Sequence, residues 1–228
     1  MKIKIYQINS DRDKYRVKFR NLSDTMVCQQ SSEIDSAIYD RVFMGDVDCE
    51  NMEDVYRMFN TEGHRLHQGH SLSISDIVEV KKGSYSVFQF CDSIGFQGVH
   101  FKPEQAQVQE NLIRVLVVEP GRTPYESEIP NTLEGQQRAV EGRIEYLYNE
   151  DQTIFVINEE NKINDSEGNR RIEGDVICGC FFVAGDQGED LCSLTEEQMK
   201  KYAEKFAQPE EIPREEIEDH IGFTLYPW

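Results

Sequence analysis

Leu112-Ile-Arg-Val-Leu-Val-Val118, closed by Glu119-Pro-Gly121, decides the fold. A run of Val, Ile and Leu with one Arg, stopped by a Pro-Gly turn signal, predicts a buried strand at the start of a core. Immediately upstream, Lys102-Pro-Glu-Gln-Ala-Gln-Val-Gln-Glu-Asn111 is polar and has low strand propensity, so a boundary is expected there. The chain of 228 residues then divides into a domain over 1–103, a linker over 104–111, a second domain over 112–207 and a tail over 208–228.

Downstream of the decisive strand, Thr132 is placed to cap a helix through Leu133, Gln136, Gln137 and Val140, with Gly142 as its left-handed terminator. Strands are expected over 143–148, 153–158 and 175–183. Ser193-Leu-Thr-Glu196 reads as a capping box opening a helix whose inner face carries Leu194, Met199, Tyr202, Ala203 and Phe206. Upstream, 2–9 and 16–19 read as strands, and Asn51 caps a short helix with Met52, Val55, Tyr56 and Phe59 on one face. Ile77 to Val80 is another strand, and Asp92-Ser-Ile-Gly95 closes a hairpin between Tyr85–Cys91 and Phe96–Phe101. The expected architecture is α+β: two small α+β domains with mainly antiparallel sheets and an acidic C-terminal tail.

Charge is the one compositional extreme. The chain carries a formal net charge of −19, but residues 1–108 hold 13 Lys+Arg against 16 Asp+Glu while residues 109–228 hold 11 against 27. A surplus of this size in one half disfavours direct nucleic-acid binding, because every phosphate contact would meet like charge, and favours a basic protein partner. No apolar run reaches the length of a membrane span, the opening Met-Lys-Ile-Lys-Ile lacks a signal-peptide block, and six scattered cysteines fit a reducing compartment. A cytoplasmic protein without membrane contact is expected.

Among chemistry-bearing residues, His64, His67 and His70 recur every third position in a glycine-containing stretch, which reads as solvent-exposed loop histidines rather than a metal site. Cys178 and Cys180 flank Gly179 on one face of a strand and lack a zinc knuckle. Asp165 to Arg171 and Asp186 to Asp190 fail the calcium-loop template. Cys91 beside Asp92, with His100 across the hairpin, matches no nucleophile signature, and no glycine-rich phosphate loop occurs. No cofactor, metal or catalytic set is therefore expected. The remaining candidate is an acidic surface of Glu126, Glu128, Glu134, Glu141, Glu145, Glu150, Asp151, Glu159 and Glu160, able to imitate a phosphate array in a nucleic-acid-binding groove.

Two stretches resemble known families. Ser31-Ser-Glu-Ile-Asp-Ser-Ala-Ile-Tyr39, Val55-Tyr-Arg-Met-Phe-Asn60, Ser71-Leu-Ser-Ile-Ser-Asp-Ile-Val78 and Cys91-Asp-Ser-Ile-Gly-Phe96 resemble the YodL-like domain across residues 3–101. Val117-Val-Glu-Pro-Gly121, Glu141-Gly-Arg-Ile-Glu145, Asn158-Glu-Glu-Asn-Lys162, Asn169-Arg170 and Gly179-Cys-Phe-Phe-Val183 resemble a domain family of unknown function that accompanies it, across 113–206. The resemblance implies an accessory protein of a mobile genetic element, a conjugative element or phage of clostridia and relatives, acting against host defences. It supplies no catalytic residues. It includes Asp76, Asp92 and the Gly95-Phe96 pair and leaves out His64, His67, His70 and Cys91. Asp76 and Asp92, each at a strand edge, are expected to cap backbone amides.

The leading expectation is a non-enzymatic anti-defence protein, of anti-CRISPR or antirestriction type, whose acidic half binds a basic CRISPR or restriction nuclease as a DNA mimic. Two alternatives stand beside it. One is an enzyme acting on a small molecule or nucleotide with Asp76 and Asp92 as acid and base. The other is an adaptor docking through its aromatic end, Phe223 to Trp228.

Overall fold

In the computed structural model, which describes residues 1–108, 111–188 and 190–219, the chain divides into two compact units, Met1–Glu110 and Asn111–Trp228. In the first, β1 (Lys2–Ile8) is followed by α1 (Leu22–Gln29), β2 (Tyr39–Asp46), α2 (Met52–Arg57), β3 (Ile77–Lys82), β4 (Tyr85–Cys91), β5 (Phe96–Val99) and β6 (Gln107–Val108). They form one sheet in the order β5-β4-β3-β1-β2-β6, antiparallel except where β6 joins β2. Alternation along β1 sends Ile3 and Ile5 to one face, where buried Phe43, Val55, Phe59, Val78 and Val80 lie. Tyr6 and Ile8 point to the other face and pack with Leu22, Ile38, Tyr39, Ile77, Phe90 and Phe101.

Several expectations are corrected here. Residues 16–19 are loop and turn, not a strand: the Asp13 carboxylate accepts the Val17 and Lys18 amides at 3.0 and 2.9 Å, so local bonding displaces strand pairing. The supposed linker over 104–111 is in part structured. Pro103–Gln105 forms a 3-10 turn and β6 pairs with Asp40 and Arg41, Gln107 being held by the Arg12 guanidinium at 2.9 Å.

In the second unit β7 (Leu112–Val118) and β8 (Tyr125–Pro130) precede α3 (Leu133–Val140), β9 (Ile144–Tyr148) and β10 (Thr153–Asn158). A hairpin of β11 (Gly168–Ile172) and β12 (Asp175–Cys178) follows, then β13 (Phe181–Asp186), β14 (Leu191–Cys192), α4 (Glu196–Lys205) and α5 (Arg214–Asp219). The main sheet has the order β8-β7-β13-β10-β9. One face packs Leu116, Val118, Phe155, Phe181 and Val183 against Met199, Tyr202 and Phe206 of the α4 segment and Ile172 and Ile177 of the hairpin.

Local chemistry again decides the differences. The αL position ending α3 is Glu141, with φ 58°, not Gly142. Gly142 serves close approach instead, since a Cβ there would meet the Asn158 amide at 2.3 Å. The capping box of α4 is Thr195 with Gln198, not Ser193 with Glu196. The single strand expected over 175–183 breaks at Gly179, whose φ of 64° and contact with Asn161 turn the chain from one sheet to another. Cys178 and Cys180 are both buried but lie on opposite sides of that break, not on one strand face. The acidic tail is packed as far as it is described: Ile217 is buried against Val176 and Cys178, and Arg171 grips Glu216 at 2.6 and 2.7 Å.

Candidate functional site

The nine candidate carboxylates do not form one array. Glu126 and Glu128 lie on β8 at one end of the main sheet and Glu145 on β9 at the other. Four strand spacings separate those edges, about 19 Å at roughly 4.8 Å per strand. Glu126 is held by Arg114 at 2.7 Å, and Arg143 lies 3.3 Å from Glu159 and 3.9 Å from Glu160. Asp151 is structural: it accepts Thr153 Oγ1 at 2.6 Å, Tyr202 Oη at 2.9 Å and Lys201 Nζ at 2.6 Å. Partial burial alone would raise its pKa, but these donors hold it below the usual carboxylate range. Glu134, Glu141, Glu145 and Glu150 are exposed and cluster in sequence around α3 and β9.

Beside this edge runs a groove of about 250 Å³ lined by Thr132, Leu133, Gln136, Tyr146, Tyr148 and Asp190 among others. Tyr146 is fixed by its hydroxyl, which donates to Gln136 Oε1 at 2.6 Å. Leu133 and Tyr148 are 55% and 67% exposed, a large apolar presentation amid carboxylates.

In the first unit the enclosed chemistry gathers at Asp76, 1% exposed at the entrance to β3. Its Oδ2 accepts the Ser73 amide and Gln7 Nε2, both at 2.8 Å. Gln7 also donates to the His70 carbonyl at 2.8 Å and accepts the His70 amide at 3.0 Å. Gly69 permits this, because a Cβ there would fall 1.9 Å from Gln7 Oε1. Burial pushes the Asp76 carboxyl up to about 8 against the pull of these donors. The nearest imidazole nitrogen, His70 Nδ1, is 3.9 Å away. Asp92 accepts the Ser93 and Leu22 amides at 2.7 and 3.3 Å, tying the hairpin to the start of α1.

The histidines are not the exposed loop set that their spacing suggested. His64 stacks on Phe59 at 5.8 Å between centroids, His67 meets the same ring edge-on at 5.1 Å, and His70 turns to Phe19 and Gln7. Burial, with a smaller push from His70, lowers His67 to about 4. Cys91 is pushed up to about 12 by burial and by the charges of Asp76 and Asp92, so its thiol stays protonated. Among the described residues no three His, Cys, Asp or Glu side chains are grouped to hold a metal ion, and no helix is long and apolar enough to cross a membrane. The aromatic end, 223–228, lies outside the described residues.

What sequence reading missed is Arg170. It is 1% exposed, and its guanidinium donates to Asn169 O and Oδ1 and to the carbonyls of Arg122 and Phe206, all at 2.8 to 2.9 Å. The available signal was an Arg-Arg pair in an alternating strand, where one arginine must face inward.

No curated protein and no solved structure matches the chain. Models of two families do, at residues 2–101 of the first unit and 113–207 of the second. Residues 2–101 thus match the YodL-like domain, and residues 113–207 after it match a domain of unknown function, DUF3846.

Proposed function

We propose that residues 111–228 form a non-enzymatic binding module for a basic nucleic-acid-handling protein. In this reading the chain is a cytoplasmic accessory protein of a mobile genetic element, directed against a host defence nuclease of CRISPR or restriction type. The observation that carries it is the state of the unit's cations. Residues 111–228 hold 11 Lys+Arg against 26 Asp+Glu. Arg114, Arg122, Arg143, Lys162, Arg171, Lys201 and Arg214 are committed to carboxylates, and Arg170 is enclosed. Glu134, Glu141, Glu145 and Glu150 remain on the surface, and their field extends over a Debye length of about 8 Å at physiological salt. The dispersal of the nine acids favours contact along one edge over imitation of a continuous DNA backbone.

Titration of the full chain against a DNA-binding restriction or CRISPR nuclease, followed by release of labelled DNA, tests the reading. Release is expected to weaken as salt rises, and to weaken about ten-fold when Glu134, Glu141, Glu145 and Glu150 are all changed to Gln. Release indifferent to both changes overturns it.

One observation favours a second reading, an enzyme using Asp76: a carboxyl raised to about 8 near an imidazole suits acid-base work. Its 1% exposure weighs against access by substrate. Folded Asp76→Asn and Asp92→Asn chains that retain full biological effect remove this reading.

A further inference from the structure

We infer that β9 is an augmentation edge which takes up an extended basic segment of the partner as an added strand. The inference rests on the acidic-module reading and names the part of the surface that recognises the partner. β9 ends the sheet order, with β10 its only strand neighbour among the described residues. The Glu159 amide donates to the Arg143 carbonyl at 3.0 Å and the Asn149 amide to the Thr153 carbonyl at 2.9 Å, which fixes the parity of the ladder. Arg143, Glu145, Leu147 and Asn149 therefore bond inward to β10, whereas the N–H and C=O groups of Ile144, Tyr146 and Tyr148 point away from the sheet.

Such an open row normally carries Lys, Pro or a bulge as protection against pairing. Here its exposed residues are Glu145 and Tyr148, with Glu141 and Glu150 just beyond its ends. The two faces of the edge differ. Tyr146 and Tyr148 border the groove with Leu133 and Gln136, while Glu145 projects from the opposite face. An added strand with apolar side chains beside the tyrosines and basic ones beside Glu145 satisfies both faces at once. The occupant is thus an extended segment alternating basic and apolar residues, held through its backbone and selected by charge.

The probe is a blocked peptide of about eight alternating Lys and Val residues, compared by calorimetry with a block isomer of equal charge. The full chain is expected to bind the alternating peptide about ten-fold more tightly, and N-methylation of the alternate amides that face β9 should remove that advantage. Tyr148→Pro, which deletes one outward N–H and no ladder bond, should act in the same direction. Equal binding of both isomers, weakened by salt but not by N-methylation, overturns the edge while leaving the acidic module intact. Binding of neither isomer overturns both. Concentration-dependent dimerisation of the peptide-free chain that Tyr148→Pro abolishes assigns the edge to a second copy and overturns the proposed occupant.

Discussion

Asp76 and Arg170 are each 1% exposed, one in the first unit and one in the strongly acidic second, and among the described residues neither makes a close ion pair. Asp76 meets an amide side chain and one backbone N–H, whereas Arg170 meets four carbonyl and amide oxygens from three residues, Asn169, Arg122 and Phe206. The difference lies in what each group can do when enclosed. A carboxyl escapes the cost of burial by keeping its proton, and a guanidinium cannot shed its own. Asp76 is therefore a titrating element, and Arg170 is a fixed strut joining β11, the turn at Arg122 and the end of α4. A unit's net charge does not decide the sign of what it buries. Supply of donors or acceptors does.

Removing the strut should have the largest effect. Arg170→Ala leaves the Arg122 and Phe206 carbonyls enclosed without partners and opens a cavity, so a loss of about 3 kcal/mol or more is expected in urea unfolding. Arg170→Lys should recover only part of it, because an ammonium cannot span the same acceptors. Wild-type stability after Arg170→Ala would dismiss the strut.

The effect at Asp76 is smaller and depends on pH. Its folded value of about 8 stands above the unfolded 3.8, so the unfolded chain releases its proton first and stability falls as pH rises from about 4 to about 8. Asp76→Asn keeps acceptors for Gln7 and Ser73 without the charge. It should flatten that decline and exceed the wild type by on the order of 1–3 kcal/mol above pH 8. Parallel melting curves across this window would show that Asp76 is ionised in the fold.

An exposed pair sets the lower end of the scale. Arg143 is 71% exposed beside Glu159 and Glu160, and Arg143→Ala should shift stability by no more than about 0.5 kcal/mol. Since the change removes one positive charge near β9, binding of a basic partner should strengthen, which salt titration can check.

The elements legible in sequence were those whose signal is local. Leu112–Val118 and Thr153–Asn158 read directly as strands because both faces are covered and every apolar residue agrees. Thr132 announced α3 through its own side chain, which accepts the Gly135 amide at 3.1 Å. β2 and β8 escaped because alternate residues such as Asp40, Glu126 and Glu128 face outward or toward cations, and only their strand partners make them strands. The candidate sites divided likewise. The bond from Asp92 to the Ser93 amide is adjacent in sequence, but its bond to the Leu22 amide spans 70 positions, and the enclosure of Asp76 depends on Gln7 and His70, 69 and 6 positions away. Glu126 and Glu145 are only 19 positions apart, yet the β8-β7-β13-β10-β9 order sends them to opposite edges.

The packing of 209–219 on the β11–β12 hairpin bears on how the second domain is isolated. Ile212 lies so near Gly168 that a Cβ there would sit 2.7 Å from its own, and Ile217 closes over Val176 and Cys178. A chain cut at 207, where the family match stops, would leave these groups uncovered. Its Cys178 thiol would then react with an alkylating reagent that leaves the full chain untouched at this position. A soluble, thiol-protected second domain should begin by 111 and extend at least to 219.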